Sequence, residues 1–383
     1  MMRKIAYITG TRADFGLMTE VLRAIDADPV FDLSIIVTGQ HLAANHGYTA
    51  SEVVKSGLDH LLLPPITMAG IDGMEMAIGV SEQMRHISEA LRTLKPDLLL
   101  LLGDRGEMLA GAWAALYLGI PCAHFHGGER SGTVDDPMRQ AITGLSQFHF
   151  AATLGARERL IRMGERAEAV FLVGAPGLDA IREFEPDPTA LERMGMMGNG
   201  PLILILFHPV VQDMAKAAAQ AAIVLDQVAK LEGRAVVFAP NSDAGSAAIR
   251  DYYKEARHRY VRPSATHPMR FHWVTHLSRN EYLSLLAQSD VLIGNSSSGI
   301  IEAASLGTPV VNVGDRQAMR ERNSSVFDCA IEPGPITDAI QNALDFTGPF
   351  TNLYDQGGCA PRVINYLKQV PMGCAEIKKK FSY

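Results

Sequence analysis

The stretch Gly294-Asn295-Ser296-Ser297-Ser298-Gly299-Ile300-Ile301-Glu302 decides how the rest of the chain is interpreted. It follows an apolar run typical of a buried strand and precedes a run typical of a helix. Small residues let a ligand approach the backbone, and free N–H groups at a helix start favour an anion. The three serine hydroxyls add donors, and Glu302 lies about one helical turn further on, where a carboxylate can bridge two ribose hydroxyls. The stretch fits a nucleotide diphosphate, although a serine capping an ordinary helix explains it equally well.

The composition sets the number of domains and excludes several partners. At 383 residues and 47% hydrophobic content, the chain is long enough for two domains with a core each. Its formal net charge of −7 argues against nucleic acid or an anionic membrane as the main partner, so an anionic substrate must be met by local arginines. The four cysteines show no metal spacing and suit a reducing cytosol, and no apolar run reaches membrane-spanning length.

Strand and helix patterns alternate along both halves of the chain, which predicts an α/β fold of two doubly wound, mostly parallel sheets facing a cleft. The predicted strands are 4–9, 33–37, 61–63, 98–102, 121–125, 148–152, 170–173, 202–207, 235–239, 271–274, 290–293 and 309–313. The main predicted helices are 17–25, 74–94, 107–118, 137–145, 157–163, 212–231, 243–258, 279–287 and 362–380. We expect an N-terminal domain over 1–183, a linker over 183–201, a C-terminal domain over 201–365, and a C-terminal helix over 366–383 that can pack back on the N-terminal domain.

Polar residues follow the strands of the first half. After the first strand come Arg12, which could bind a phosphate through two N–H groups, and Asp14, which could instead cap the next helix. His41 follows the second strand, and a lone histidine is more often structural than functional. Asp104 and Arg105 follow five leucines. A carboxylate at a buried strand end needs a partner, which Arg105 could supply, but the ligand end of a sheet favours a functional role.

The densest polar segment of the chain is 124–139. His124 and His126 alternate, so both point to the same face of a strand. Because the chain offers no standard metal motif to supply a third ligand, acid–base and phosphate-binding roles are favoured over a metal site. Asp135 and Asp136 could instead both be helix caps.

Three turns of the second half carry further candidates. Phe207-His208-Pro209 ends one strand, Asn241-Ser242-Asp243-Ala244-Gly245 follows the next, and Gly314-Asp315-Arg316-Gln317 follows the last. Asp315 and Arg316 could form a surface ion pair of little energetic value, or Arg316 could be a second ligand for the diphosphate.

Taken in order, these motifs resemble the hydrolysing sugar-nucleotide 2-epimerases of sialic acid and legionaminic acid biosynthesis, the UDP-N-acetylglucosamine 2-epimerase family. The resemblance covers nearly the whole chain. The matching motifs are Gly10-Thr11-Arg12-Ala13-Asp14, Gly103-Asp104-Arg105, His126-Gly127-Gly128-Glu129, Ser131-Gly132-Thr133-Val134-Asp135-Asp136, Arg139, Phe207-His208-Pro209, Asn241-Ser242-Asp243-Ala244-Gly245, Gly294-Asn295-Ser296-Ser297 and Gly314-Asp315-Arg316-Gln317. Non-hydrolysing relatives usually carry an HVEAG-like segment, where this chain has His-Phe-His-Gly-Gly-Glu, so the hydrolysing branch is favoured.

The resemblance implies a GT-B-type fold and a role for each candidate. It implies that Asp104, Asp135 and His208 serve catalysis; some family members carry Glu where this chain has His126, so either His126 or Glu129 takes that role. It places arginines and the serine turn on the diphosphate, and His41, Arg105 and Arg139 around the sugar. The substrate- and nucleotide-binding candidates are Arg12, Asp14, His41, Arg105, Arg139, Asn241, Asp243, Ser296, Ser297, Ser298, Glu302 and Arg316.

The implied reaction converts UDP-N-acetylglucosamine and water to N-acetylmannosamine and UDP. Loss of the C2 proton and of the nucleoside diphosphate gives a 2-acetamidoglycal, and water then adds with the opposite configuration at C2. The same chemistry on UDP- or GDP-2,4-diacetamido-2,4,6-trideoxyglucose, for legionaminic acid, is the first alternative. A GT-B glycosyltransferase and a non-catalytic sugar-nucleotide sensor are the others; the first would need an acceptor and the second would show no turnover.

The expected partners follow from the same resemblance. The substrate is a nucleotide sugar, with no nucleic acid and no membrane, and no metal or other cofactor is required. The family implies a homo-oligomer, either a dimer or a tetramer, and the N-terminal sequence, which enters a strand without a signal peptide, predicts a cytoplasmic protein. The nucleobase is expected near residues 273–278.

Overall fold

The computed structural model describes residues 2–43, 48–66, 72–260 and 263–379. Within them, strands alternate with helices and form two separate sheets in which every strand pair is parallel. Parallel strands bring their carboxyl ends to one edge of a sheet, so the turns after the strands of each half lie together.

The first sheet has the strand order β3-β2-β1-β4-β5-β6-β7 among the described residues. The elements of this half are β1 (Arg3–Thr9), α1 (Arg12–Asp26), β2 (Phe31–Val37), α2 (Ala50–Lys55), β3 (His60–Leu62), α3 (Gly73–Leu94), β4 (Leu98–Leu102), α4 (Gly106–Leu118), β5 (Cys122–Phe125), α5 (Asp135–Leu145), β6 (Phe148–Ala151), α6 (Leu154–Arg162) and β7 (Val170–Leu172). The five leucines of β4 are all buried, as expected for a central strand covered by helices on both faces.

The second sheet has the order β10-β9-β8-β11-β12-β13. The remaining elements are α7 (Asp179–Arg182), α8 (Ala190–Arg193), β8 (Leu202–Leu206), α9 (Ala217–Val228), β9 (Arg234–Phe238), α10 (Ser246–Arg259), β10 (Arg270–Val274), α11 (Arg279–Ala287), β11 (Val291–Gly294), α12 (Ser297–Ile301), β12 (Val310–Val313), β13 (Val326–Cys329), α13 (Pro333–Leu344) and α14 (Cys359–Gln369). Along β8, Ile203 and Ile205 belong to one apolar core while Leu202 and Leu204 belong to another, because alternate side chains point to opposite faces.

The end of the chain contributes to the first half. Val363 and Leu367 of α14 are fully buried in the same apolar core as β1 and α1. Arg3 at the start of β1 donates hydrogen bonds to the carbonyls of Leu367 (2.6 Å) and Val370 (3.0 Å). The domain limit placed at residue 365 therefore falls inside α14, and the domain bounds as such stay a prediction.

Several predicted element bounds are wrong, and the C-terminal segment differs most. The helix expected over 362–380, or 366–383, is instead α14, which ends at Gln369 because Pro371 follows and Gly373 has a left-handed φ of +98°. Residues 380–383 lie outside the described part of the chain. The prediction that strand 309–313 is the last is also wrong, since β13 and α13 follow it, and α9 begins at Ala217 rather than at residue 212.

Helix α3, with 22 residues, is long enough to cross a membrane, but neither it nor any other helix within the described residues is sufficiently apolar to do so.

Candidate active site

One cavity of about 310 Å³ lies between the two halves. Its walls come from the turns that follow the strands of both sheets, which is where doubly wound folds bind ligands. The polar lining residues include Arg12, Gln40, Arg105 and His126 from the first half, and His208, Asn241, His276, Arg279, Ser296, Ser297, Ser298 and Glu302 from the second.

The serine turn between β11 and α12 forms part of the cavity wall. Gly294 has φ +147°, and a Cβ there would collide with the backbone of β8, so only glycine fits this approach. Ser296 accepts from the backbone N–H of Ser298 (3.3 Å) and caps α12, and the Ser298 hydroxyl lies 2.6 Å from that of Tyr282. Within the described residues no hydrogen-bond partner is recorded for the Ser297 hydroxyl. The turn thus combines the predicted cap with a hydroxyl available to a ligand.

Glu302 lies at the cavity with a partner that the sequence did not suggest. Its carboxylate is bonded to the guanidinium of Arg279, the first residue of α11. Ser278 and Glu281 form a reciprocal capping box at the start of α11, which holds Arg279 at this strand-to-helix turn. The Ser-x-x-Glu pattern was therefore a usable signal for Arg279. The expected nucleobase segment, 273–278, also reaches the cavity through Thr275, His276 and Leu277.

Asp104 and Asp136 share one buried arginine. The guanidinium of Arg139, only 1% exposed, bonds the Asp104 carboxylate and donates to Asp136 (2.6 Å) and to the carbonyl of Glu129 (3.1 Å). Burial alone would raise the pKa of Asp104, but the positive charges of Arg139 and Arg320 hold that pKa below its ordinary value. Asp104 is therefore a fixed negative charge behind the cavity wall.

Asp135 has the opposite behaviour. Burial and the neighbouring charge of Asp104 raise the pKa of Asp135 to about 6, close to neutrality. Arg316 comes across from the second half, with its Nη2 4.0 Å from Asp135 and 3.8 Å from Asp243. One carboxyl group that stays ionised beside another that can exchange a proton is an arrangement suited to acid–base chemistry.

Two buried histidines line the cavity in complementary tautomers. Burial lowers the pKa of both His126 and His208 to about 3, so both rings are neutral. Nδ1 of His208 accepts from the backbone N–H of Asn241 (3.1 Å), which places the ring proton on Nε2. Nδ1 of His126 lies 2.5 Å from a carboxylate oxygen of Glu129, which places the ring proton on Nδ1. His208 can therefore donate a hydrogen bond through Nε2, and Nε2 of His126 can accept one.

Asp14 and His41 lie behind the cavity rather than on its wall. Thr11 is the N-cap of α1, and Asp14, three residues on, completes the capping box by accepting from the backbone N–H of Thr11 (2.8 Å). His41 is fully buried, with its ring nitrogens 2.9 Å from the hydroxyls of Thr9 and Thr49. Both side chains hold turns whose other residues line the cavity, and a direct binding role for either stays a prediction.

Two arginines of the first half, Arg12 and Arg105, line the cavity. Arg105 Nε lies 2.9 Å from Glu107, and its Nη1 lies 4.0 Å from Asp243 in the other half. Arg12 Nη1 lies 3.3 Å from His276, also across the cleft. Among the described residues, no group of three or more His, Cys, Asp and Glu side chains is arranged to hold a metal ion.

The sequence model of the UDP-N-acetylglucosamine 2-epimerase family matches residues 23–368. The chain belongs to this family. The epimerase is also similar to two bacterial proteins over most of its length. It is 41% identical to the hydrolysing UDP-N,N'-diacetylbacillosamine 2-epimerase of Legionella pneumophila, covering 100% of both chains. It is 32% identical to the UDP-N-acetylglucosamine 2-epimerase of Neisseria meningitidis, covering 89% of this chain and 88% of that one.

Among solved structures, the epimerase resembles the Methanocaldococcus jannaschii UDP-GlcNAc 2-epimerase in complex with UDP-GlcNAc and UDP. The TM-score is 0.78 at 18% identity, covering 96% of this chain and 100% of that one. The prediction of a GT-B-type fold with two Rossmann-like domains is thereby confirmed. The family assignment confirms that the chain is an enzyme, a hydrolysing sugar-nucleotide 2-epimerase, and sets aside the sensor hypothesis.

Proposed function

We propose that this epimerase converts UDP-N,N'-diacetylbacillosamine and water to UDP and free 2,4-diacetamido-2,4,6-trideoxymannose, a precursor suited to legionaminic acid synthesis. One observation carries the chemistry: a serine turn suited to an anion and two neutral histidines of opposite tautomer face the same cavity. The choice of sugar is supported by the 41% identity to the Legionella enzyme over the full length.

The proposed first step is an elimination. The C1–O bond to the diphosphate breaks while the C2 proton passes to a base, for which Nε2 of His126 is suited, and the C2–H electron pair forms the C1=C2 double bond of the glycal. The serine turn and Arg316 stabilise the charge on the departing diphosphate, and losing one such donor typically costs roughly a hundred- to thousand-fold in rate. The fixed negative charge of Asp104 stabilises the positive charge that develops at C1.

The proposed second step is a hydration. Water supplies its hydroxyl to C1, and a proton returns to C2 on the opposite face of the ring. Asp135 is suited to exchange protons here because its raised pKa of about 6 lets it hold or release a proton near neutrality. His208, with its proton on Nε2, is suited to donate a hydrogen bond to an oxygen that gains negative charge.

UDP-N-acetylglucosamine is the second candidate substrate. The 32% identity to the Neisseria enzyme over 89% of this chain favours it. The two sugars differ at C4 and C6, whereas the elimination involves C1 and C2, so the same residues serve both.

An NMR time course in deuterated water tests both candidates. We expect UDP and a free manno-configured sugar with deuterium at C2, and a higher kcat/KM for the diacetamido sugar. A higher kcat/KM for UDP-N-acetylglucosamine would reverse the choice of substrate. Transfer to an added acceptor without formation of free sugar would contradict the epimerase and favour a glycosyltransferase.

A further inference from the structure

The loop that joins β12 to β13, residues 314–325, reaches from the second half onto the first. Besides Arg316, which faces Asp135, two of its charged side chains make ion pairs across the cleft. Arg320 bonds the carboxylate of Glu129, and Glu321 lies 3.0 Å from Arg159 Nη2. The two pairs differ in what lies behind them, because only Glu129 also holds a cavity residue.

That cavity residue is His126. Its backbone has φ +62°, a left-handed conformation that is costly for a side chain other than glycine and that is concentrated at functional sites. Its backbone N–H donates to Phe150 (3.2 Å), and its ring nitrogen Nδ1 contacts Glu129 (2.5 Å). No partner for Nε2 is recorded in the part of the chain that the structure describes, and the ring lines the cavity. A strained backbone and a buried carboxylate thus present one nitrogen to the ligand.

We propose that Glu129 and Arg320 are positioning residues that prepare His126 as a proton acceptor only when the two halves of the cleft are closed. Glu129 holds the ring proton on Nδ1 and so leaves the Nε2 lone pair facing the sugar. Arg320 arrives from the other half and pairs with the remaining oxygen of Glu129. The inference rests on the proposed function, since turnover is one of its readouts, and it explains why both His126 and Glu129 occur in the motif.

The charges around the ring explain why closure matters. Burial is the largest cause that holds the pKa of His126 far below its ordinary value. Arg320 and Arg139 lower this pKa further, whereas Asp104 and Glu302 raise it. Opening the cleft removes Arg320 and exposes the ring to water, so both changes raise this pKa. A closed cleft therefore has a neutral ring with a free lone pair, and an open cleft has a ring that protonates more readily.

The competing explanation is that the Arg320–Glu129 pair is merely a clasp between the halves. The Arg159–Glu321 pair provides a matched control, since it joins the same loop to the same half without touching His126. If the pair only holds the two halves together, Arg320→Met and Glu321→Gln should have the same effect. If Arg320 and Glu129 position His126, only Arg320→Met should change kcat and its pH profile.

The kinetic experiment compares wild type, Arg320→Met, Arg320→Lys, Glu129→Gln and Glu321→Gln. We expect Arg320→Met and Glu129→Gln to lower kcat roughly ten- to hundred-fold with KM nearly unchanged. In Arg320→Met the acid limb of kcat/KM should move up by about one pH unit or more, and Arg320→Lys should restore it. An equal loss in Arg320→Met and Glu321→Gln, with the acid limb in place, would overturn the proposal.

A second readout does not depend on turnover. Nitrogen-15 NMR of histidine-labelled protein with UDP bound reports the tautomer and titration of His126, and His126→Asn identifies its signals. We expect a neutral ring protonated on Nδ1 throughout pH 5–8 in wild type, and a pKa of His126 that is higher in Arg320→Met than in wild type. The same titration in both proteins would contradict the proposal that Arg320 and Glu129 position His126. If wild type converts neither sugar, the proposed function fails, but this measurement still tests the positioning of His126.

Discussion

Asp135 is a residue whose negative charge lowers the stability of the folded protein near neutrality. Its pKa is raised from 3.8 to about 6 by burial and by Asp104, so the folded chain binds a proton there more readily than the unfolded chain. The unfolding free energy is therefore lowered above about pH 6, and this cost disappears as the pH falls towards 4. We expect Asp135→Asn to gain about 1–3 kcal/mol of stability at pH 7.5 and nothing at pH 4, while turnover falls.

Thermal unfolding at the two pH values measures this effect. Asp315→Asn, at an exposed turn, is the matched control and should change stability at neither pH. A gain that persists at pH 4 would mean that the substitution acts through packing rather than through charge.

A second prediction for a single residue concerns Asp104. Asp104→Asn keeps the shape of the side chain but removes the negative charge that we propose stabilises the developing cation at C1, so we expect kcat to fall roughly a hundred- to ten-thousand-fold. The Kd for UDP should stay nearly constant, because Asp104 lies in the first half and the serine turn in the second. Normal turnover by Asp104→Asn would exclude a catalytic role for this carboxylate.

At the scale of elements, α5 is fixed at both ends. Its first turn carries Asp135 and Asp136, and at its other end Lys379 Nζ donates to the carbonyls of Thr143 and Ser146 (2.7 Å each). A lysine there satisfies the last carbonyls of the helix and complements its dipole. The C-terminal segment thereby supports the helix that presents two carboxylates to the cleft.

Lys379→Met tests this support. Because the ammonium also bonds the buried carboxylate of Glu165, we expect a loss of about 2–3 kcal/mol of stability and a smaller loss of kcat. Lys378→Met, at the exposed neighbouring position, should leave both unchanged. Calorimetry and initial rates provide the measurements, and equal effects of the two substitutions would show that α5 is not held by Lys379.

Strands and helices could be predicted from the sequence where one local pattern was clear. They were missed where the segment was short or carried residues typical of another structure. The five leucines of β4 and the serine turn before α12 are local patterns, and both lie where expected. Strand β13 was missed because Val326 to Cys329 is short and only partly buried at the sheet edge. Helix α13 was missed because it begins with Pro-Gly-Pro, which is typical of a loop.

At the scale of the whole molecule, the contacts across the cleft could not be predicted. Glu129 and Arg320 are separated by 191 residues, and no local sequence pattern at either position predicts that the two side chains pair. Alternation of strands and helices predicts that the turns meet in a cleft, but not which side chains pair there. The tautomer of His126 depends on its contact with Glu129, which follows from the three-dimensional structure and not from the sequence.

The placement of α14 gives the last prediction. Leu367 is fully buried in the core of the first half, so Leu367→Ala should cost about 2–5 kcal/mol. We expect hydrogen exchange to accelerate in β1 and β2 while β8 and β11 stay protected. Leu353→Ala, at a side chain that is 47% exposed, is the control and should alter neither. Equal acceleration in both halves would mean that they unfold as one unit.

The hydrogen bond from Arg3 to the carbonyl of Leu367 also implies an order in which the two halves complete their folding during translation. The two residues are 364 positions apart, so at about 5–20 residues per second the nascent β1 waits roughly 20–70 s for its last packing partner. The half that is translated first therefore completes its core last, whereas the second half is synthesised in a single uninterrupted stretch. During that interval the uncovered face of the first half is a natural client surface for chaperones that bind nascent chains.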